Sequence, residues 1–460
     1  MFPVSLRKAL ATVFVLSLGA VSLWAQSGPL AASNAVGPAP GNAAPASISL
    51  DQAIALALQN DPAYVASKAT RGSALLDRSI ARSALLPQVT FNNQYLYTQP
   101  NGLRNQAGQG VAAQAAPRFI ANNAIREYAS QGVVTETLSG ASVMDLKRTT
   151  AAAAKATADL ELSRRDLVLH VVTAYFGLIS AHEKMLVAER ASDEAKSFDD
   201  LAQKLEGGRE VAHADVVKAD LGMQQGARDL DDARLAAEKA QLDLGILLFP
   251  DPRTPYTLSE SGNAPPLAGR ADIEAAAGRN NPDLRSALEA LRLSEAEVSA
   301  AWAGYLPTLS FNYTYGIDAP QFAVNGPGGA RNLGYSALVG LDIPIWDWLA
   351  TRDKVKQSKL RETAAQAALT NMQRLLIAQL EEFYDEAKIA YAHLASLEES
   401  ESTARESLRL TRLRYQAGEA TALEVVDAQS ALRLAETARV DGAVRYRVAL
   451  ANLETLTGTL

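Results

Sequence analysis

The stretch LPTLSFNYTY at residues 306–315 decides how this chain is interpreted, because it restates LPQVTFNNQY at residues 86–95. The two copies lie 220 residues apart, and 11 of the 47 positions from 51 to 97 are identical to their counterparts at that offset. In each copy an Ala-rich helical pattern ends at a Leu-Pro pair, and a strand pattern follows. Ungapped similarity over this length predicts an internal structural repeat, with two copies of one helix–strand unit.

Both strand patterns alternate apolar and aromatic side chains with polar, nearly uncharged ones. Such alternation is typical of a half-buried antiparallel strand in a soluble sheet. It is also typical of a strand with lipid on one face and a polar lumen on the other. Because a soluble surface usually carries Lys and Glu, the uncharged face favours a membrane barrel. The predicted lipid-facing side chains are Val89, Phe91, Tyr95, Leu309, Phe311, Tyr313 and Tyr315.

The first 25 residues have the pattern of a secretory signal peptide, with Arg7 and Lys8 before an apolar stretch. Residues 26–46 are rich in Ala, Pro and Gly and predict a flexible linker. The absence of cysteine excludes a disulfide framework. The formal net charge of −7 disfavours nucleic acid as a partner. No later stretch is long and apolar enough to predict a membrane helix, so we expect a periplasmic, secreted or outer-membrane protein.

Two uninterrupted segments, residues 144–206 and 349–415, predict helices about 95 and 100 Å long at about 1.5 Å per residue. Apolar and Ala side chains recur at heptad spacing along the first of these segments and along a final predicted helix at about 422–456, where only Arg439 departs strongly from the pattern; this indicates coiled-coil packing. Glycines mark the predicted tip turns, at Gly207, Gly208 and Gly418. The predicted organisation is a first repeat at 47–250 with a β-hairpin at about 87–143, a connector at 251–271, and a second repeat at 272–460 with a β-hairpin at about 307–345.

The number of strands limits how they can enter a membrane. Four strands cannot close a barrel, since the smallest closed barrels have about eight. An open sheet edge in lipid would leave backbone groups unpaired at a high energetic cost. Strands that enter lipid must therefore belong to a barrel shared by several chains, and the long helices must extend away from the membrane.

Several patterns together resemble the TolC-like outer-membrane efflux and secretion channels of the outer membrane efflux protein family. They are the duplicated helix–LPxxxF–strand unit, the paired hairpins, the glycine-containing tips and the segment AGEATALEVVDAQSAL at residues 417–432. The resemblance implies a mainly α fold with a small β part, in which long coiled-coil helical hairpins accompany two β-hairpins. These hairpins would contribute four strands per chain to the transmembrane β-barrel of a homotrimer. It also implies a passive exit duct in the outer-membrane lipid, whose helices reach into the periplasm and dock with an inner-membrane pump and a periplasmic adaptor.

The same resemblance implies a closable entrance at the helical tips. Glu424 and Asp427 match its acidic rings, and Tyr415 and Asp215 match a pair that latches the entrance shut. Glu424 also fits a capping box with Thr421, which would explain that acid without a ring. Ala420 stands where the family's best-known members carry an Arg, so this chain lacks one part of the expected latch.

Enzyme chemistry finds little support in the sequence. The four histidines show no metal-ligand spacing, and no phosphate-binding glycine loop or nucleophile elbow is present. We therefore predict no catalytic residue, no metal and no cofactor. The competing interpretation is a periplasmic coiled-coil scaffold or adaptor without a membrane barrel, whose strands form an ordinary soluble sheet.

Overall fold

The structure, a computed structural model, describes residues 46–98, 126–259 and 265–459. The described residues from Ser47 onward form one compact unit. The helices are α1 (Leu50–Asn60), α2 (Pro62–Ser83), α3 (Gly140–Gly207), α4 (His213–Leu248), α5 (Arg270–Asn280), α6 (Pro282–Trp302), α7 (Ala350–Gln416) and α8 (Ala422–Thr457). The strands are β1 (Ala46–Ile48), β2 (Gln88–Tyr97), β3 (Arg126–Ser139), β4 (Tyr256–Leu258), β5 (Thr308–Ala319) and β6 (Leu333–Asp342).

The internal repeat is present in the fold. The helices α1 and α5 have 11 residues each, and they begin at positions 220 apart. The next helix of each copy starts with a proline, after a residue whose side chain accepts a backbone N–H at 2.7 Å: Asp61 caps α2 and Asn281 caps α6. A proline at the first helical position loses no hydrogen bond, so the Asp-Pro and Asn-Pro pairs join two helices instead of ending one.

The strands β2, β3, β5 and β6 form one antiparallel sheet in that order. Residues that face each other across antiparallel strands lie on the same side of the sheet. Val89 faces Val134, which faces Tyr313, and Phe91 faces Gly132, which faces Tyr315. By this register, all seven side chains predicted to face lipid lie on one face of the sheet. In the single chain six of them are exposed, and the half-buried Tyr313 stacks on Tyr335.

The apolar face of the sheet has polar interruptions at three places. Ser130 donates a hydrogen bond to Asn93 at 2.7 Å, Glu136 faces Phe311, and Arg126 faces Tyr97 at the start of β3. The opposite face carries uncharged polar side chains along the middle of the strands, such as Asn92, Gln131 and Asn312. In the described part of the chain, β2 and β6 each pair along one edge only.

Below the sheet, α3 packs against α4 and α7 packs against α8, which makes two long helical hairpins. The hairpins meet where α3 packs against α8. The heptad prediction is confirmed along α3 by the burial of Leu167, Val171, Leu178 and Ala188. At 68 and 67 residues, α3 and α7 are each about 100 Å long. In the part of the chain that the structure describes, no helix combines the length and apolar character that crossing a membrane requires.

The structure differs from the predicted organisation in one boundary and in one additional strand. The first β-hairpin ends at Ser139, because α3 begins at Gly140 and takes in the last positions of the predicted hairpin. The predicted connector contains β4, which pairs with β1. A three-residue strand is too short to show a periodicity in sequence, which explains why it was not predicted.

The connector is attached to the helical core on both sides. The Tyr175 hydroxyl donates to the carbonyl of Ser259 at 2.9 Å, and the Tyr446 hydroxyl donates to the carbonyl of Pro265 at 2.7 Å. Both rings are buried. The predicted signal peptide lies outside the described residues, as does the predicted linker up to residue 45. Residues 99–123, whose Gly-, Asn-, Gln- and Ala-rich sequence predicts an external loop, also lie outside them.

Candidate functional site at the helical tips

Both helical hairpins turn at their tips with the same backbone motif. At the second tip Gly418 has φ +75°, and the amides of Gly418 and Glu419 donate to the carbonyls of Tyr415 and Arg414. At the first tip Arg209 has φ +61°, and the amides of Arg209 and Glu210 donate to carbonyls three and five residues back. These paired bonds define a Schellman motif, which ends a helix with one left-handed residue.

The predicted glycines therefore differ in role. Gly418 takes the left-handed position of its turn, as a C-terminal glycine is expected to do. Gly207 and Gly208 lie at the first tip but have negative φ, and Arg209 takes the left-handed position after them. The glycine pair marks where the first turn lies, but it does not supply the unusual conformation.

An apolar cluster joins the two hairpins just above these turns. Phe198 of α3 and Tyr415 of α7 meet edge to face, with ring centroids 5.1 Å apart. Ala219 of α4 and Val425 of α8 belong to the same buried cluster. Because all four helices contribute, the tips are packed together and do not hang free.

The predicted latch residues Tyr415 and Asp215 are neighbours in the structure. Tyr415 is 2% exposed, and its hydroxyl has no hydrogen-bond partner among the described residues. Burial raises the pKa of Tyr415 above its ordinary value, and the negative charge of Asp215 raises it further. Asp215 is thus close enough for its charge to act on the Tyr415 hydroxyl, although it makes no hydrogen bond to it.

Glu424 has the capping role that its sequence context allows. Its backbone amide donates to the Thr421 hydroxyl at 3.3 Å, and its carboxylate accepts from the Thr421 amide at 3.2 Å. Its other oxygen lies 3.5 Å from the guanidinium of Arg414. This carboxylate is half-exposed and partly neutralised within its own chain.

Asp427 lies one turn further along α8 and is exposed. In the described part of the chain it makes no ion pair or hydrogen bond, so its charge is uncompensated locally. Residues three apart share a helix face, which places Asp427 and Glu424 on the same side of α8.

Asp199 is a further charged residue at the tips, which the sequence did not single out. It is 3% exposed, and one of its oxygens accepts from Gln203 at 2.7 Å while the other has no partner among the described residues. Burial raises the pKa of Asp199, and the nearby charges of Asp220 and Asp200 raise it further. The sequence offers one signal for its burial, the pair of adjacent acids Asp199-Asp200. Two consecutive residues point to different faces of a helix, so both acids cannot lie at the centre of its exposed face.

Higher along the hairpins, a groove of about 970 Å³ runs between α3, α7 and α8. Its walls are mainly arginine and glutamate side chains, with Leu408, Leu413 and Leu432 among them. Ion pairs cross it between the hairpins, such as Arg412 to Glu194 at 2.9 Å. Among the residues described, no group of His, Cys, Asp and Glu side chains is arranged to hold a metal ion.

Comparisons with known proteins agree with this architecture. Residues 275–459 match the family described as "Outer membrane efflux protein". The chain is 23% identical to outer membrane protein TolC of Escherichia coli over 87% of this chain and 80% of that protein. It is 25% identical to outer membrane protein OprJ of Pseudomonas aeruginosa over 63% of this chain and 61% of that protein, so this match spans less than two thirds of OprJ.

A solved structure extends the likeness to nearly the whole chain. The Campylobacter jejuni CmeC outer membrane channel superposes with a TM-score of 0.78, covering 89% of this chain and 85% of that one at 17% identity. The comparisons agree with the fold described above, which has repeated helix–strand units, a four-stranded sheet and paired long hairpins. Residues 275–459 thus resemble the outer membrane efflux proteins, and the chain has the fold of the CmeC outer membrane channel.

Proposed function

We propose that this chain is one subunit of a homotrimeric channel that serves as the passive exit duct of a tripartite efflux or type I secretion system. The observation that carries the proposal is the four-stranded sheet, which has one apolar, exposed face and whose outer edges at β2 and β6 pair with no other described strand. Three such sheets, joined edge to edge, give a barrel of twelve strands. Closure pairs the backbone groups of both edges, which is the condition for a sheet to be stable in lipid.

The orientation of the barrel wall follows from the two faces of the sheet. Val89, Phe91, Tyr95, Leu309, Phe311, Tyr313 and Tyr315 face lipid in this proposal, and the uncharged polar face lines the lumen. The long hairpins then extend into the periplasm, where their outer surfaces bind a periplasmic adaptor and, through it, an inner-membrane pump. The pump supplies the energy, and the duct itself catalyses no reaction.

The entrance of the duct lies at the helical tips in this proposal. Threefold symmetry makes Asp427 and Glu424 into rings of three carboxylates, which attract cations. Asp427 is the stronger candidate, because Glu424 is partly neutralised by Arg414 and occupied in its cap. Tyr415 of α7 and Asp215 of α4 latch the entrance in this proposal, which is supported by the effect of the Asp215 charge on the buried tyrosine. The two repeats, residues 47–250 and 272–460, open as two hairpins where these residues lie.

The subunit count tests the proposal directly. The mass of the detergent-extracted protein, measured by light scattering and corrected for bound detergent, should equal three chains. A single chain, or a protein that leaves the cell with the soluble periplasm, would refute the shared barrel and favour a coiled-coil scaffold.

Ion selectivity in planar bilayers tests the entrance. D427N should lower the preference for cations more than E424Q does, since Asp427 has no ion-pair or hydrogen-bond partner among the residues that the structure describes, whereas Glu424 pairs with Arg414. Equal and small effects of both variants would remove the acidic rings from the proposal.

A further inference from the structure

Five charged side chains form a network in the groove above the tips, which we call the clamp: Arg190, Glu401, Arg405, Glu436 and Arg439. Glu436 of α8 is its most deeply placed member, with a side chain that is 8% exposed. Arg405 of α7 donates a hydrogen bond to Glu436 at 3.0 Å, and a guanidinium nitrogen of Arg190 of α3 lies 3.7 Å from the same oxygen. One carboxylate therefore contacts helices of both hairpins.

A second carboxylate completes the clamp. Glu401 of α7 is 14% exposed, and its oxygens lie 2.5 Å from Arg405 and 2.5 Å from Arg439. Three arginines thus share two largely buried carboxylates. Arg439 is a polar residue within an otherwise apolar heptad of α8, so the coiled-coil seam is interrupted where the clamp lies.

Other ion pairs cross between the hairpins, but they are more exposed. The side chains of Lys184 and Asp441 are 36% and 54% exposed. Exposed pairs gain little because water and salt screen them. Glu436 is different, since a buried carboxylate has lost its water and depends on its partners.

The clamp is separate from the tip site. Glu436 is 14 residues after the first residue of α8, which places it about 21 Å along the helix axis at about 1.5 Å per residue. Among the described residues, no hydrogen bond or ion pair joins the clamp to Tyr415, Asp215, Glu424 or Asp427. A movement that separates α8 from α3 must pull Glu436 away from Arg190 and expose the clamp to water.

We propose that Glu436 is a positioning residue of the duct, which holds α8 against α3 through Arg190 and thereby sets how readily the two hairpins separate. This inference rests on the proposed function for its meaning, because separation of the hairpins is how the entrance opens. The contact itself can be tested whether or not the protein conducts.

The first test is hydrogen–deuterium exchange of the full-length, detergent-extracted protein. E436Q keeps the shape of the side chain and removes its charge, and R190Q removes only the α3 side of the contact. E406Q is the matched control, because Glu406 lines the same groove but pairs with Arg409 of its own helix. We expect E436Q to accelerate exchange about tenfold or more where α3 packs against α8, since losing one partner of a buried pair is costly.

R190Q should accelerate the same peptides less, because Arg190 is half-exposed, and E406Q should match the wild type. Unchanged exchange in E436Q would overturn the inference. Uniform acceleration throughout the chain, including the sheet, would also overturn it, because Glu436 would then support stability in general and not the meeting of the hairpins.

The second test is single-channel conductance in planar bilayers. The resting conductance of E436Q should exceed that of the wild type severalfold, while E406Q leaves it unchanged. A conducting wild type with an unaltered E436Q refutes the role of the clamp in opening and leaves the proposed function standing. If the wild type fails to conduct, the duct proposal fails, and the exchange data alone decide whether Glu436 holds the hairpins together.

Discussion

The two helical tips offer a reciprocal test of what ends a long helix, because they use the same motif with different residues in the left-handed position. We predict that Arg209→Gly stabilises the first tip and that Gly418→Ala destabilises the second. Arg209 has φ +61° and Gly418 has φ +75°. A methyl group added at Gly418 would meet no atom within 4 Å, so only the backbone conformation is changed.

The magnitude follows from two opposing terms. A left-handed conformation costs a non-glycine residue about 1–2 kcal/mol. Glycine also lowers stability by about 0.4–1 kcal/mol, because it makes the unfolded chain more flexible, and this offsets part of that difference. The net effect is about 0.5–1 kcal/mol at each tip, with opposite signs, which corresponds to a change of about two- to fivefold in the local opening equilibrium.

Amide exchange measures this effect where it occurs. The amides of Arg209 and Glu210 at the first tip, and of Gly418 and Glu419 at the second, donate the bonds that define the motif. Exchange at the first pair should slow about two- to fivefold in Arg209→Gly, and exchange at the second should quicken by a similar factor in Gly418→Ala. Gly207→Ala is the comparison for Gly418→Ala, because Gly207 lies in the helix with open space around it, so that alanine there should slow exchange and not quicken it. The reasoning is refuted if Arg209→Gly leaves exchange unchanged or quickens it.

Three further predictions concern single side chains. Tyr446→Phe should lower the free energy of unfolding by about 1–3 kcal/mol, because it leaves the Pro265 carbonyl without its donor. Tyr415→Phe should leave the free energy of unfolding almost unchanged, since the Tyr415 hydroxyl has no partner among the described residues. Thermal melting, followed by the helical circular dichroism signal, compares the two variants. Burial raises the pKa of Tyr256 from 10.0 to about 12. Because the unfolded state therefore releases this proton first, the free energy of unfolding should fall by about 3 kcal/mol as the pH rises from 10 to 12. Tyr256→Phe should remove this contribution to the loss of stability at alkaline pH. Thr421→Ala should destabilise the start of α8 by about 1 kcal/mol through loss of the capping box, and quicken exchange of the Glu424 amide.

Each of these predictions has an outcome that contradicts it. Equal losses in the two tyrosine variants would mean that the Tyr415 hydroxyl has a hydrogen bond in the assembled protein, which would strengthen the proposed latch. An alkaline melting curve that is the same with and without Tyr256 would show that its proton is released at its ordinary pH. Unchanged exchange in Thr421→Ala would mean that tip packing alone holds the start of α8.

Much of the architecture follows from local patterns. The repeat offset predicts that α5 starts 220 residues after α1. It also predicts the capped, proline-initiated helix that follows in each copy, at Asp61-Pro62 and Asn281-Pro282. Period-two alternation predicts which side chains share a sheet face, since neighbouring residues of a strand point to opposite sides. The register confirms this for the strand residues of both copies. At the tips, glycines indicate where the turns lie, but they do not show that Arg209 takes the left-handed position.

The candidate site was predictable only in part. Tyr415 and Asp215 were named from a resemblance, and the structure brings them together, yet it leaves the tyrosine hydroxyl without the hydrogen bond that a latch suggests. Asp199 and the clamp were not named at all. They stand out only because they are buried, and burial is not visible in the sequence. A charged residue on a long helix is ordinarily expected to face water.

The sequence by itself determined the repeats, the strand faces, the helix lengths and the tip turns, because each depends on residues within a few positions of one another. The tertiary structure alone decided that α8 packs against α3, which brings Glu436 to Arg190 across 246 positions of sequence. No local pattern encodes that contact, since it arises from the packing of two hairpins that are far apart in the sequence. The energetic weight of Glu436 has the same origin, because a carboxylate depends on its partners only when packing has removed its water.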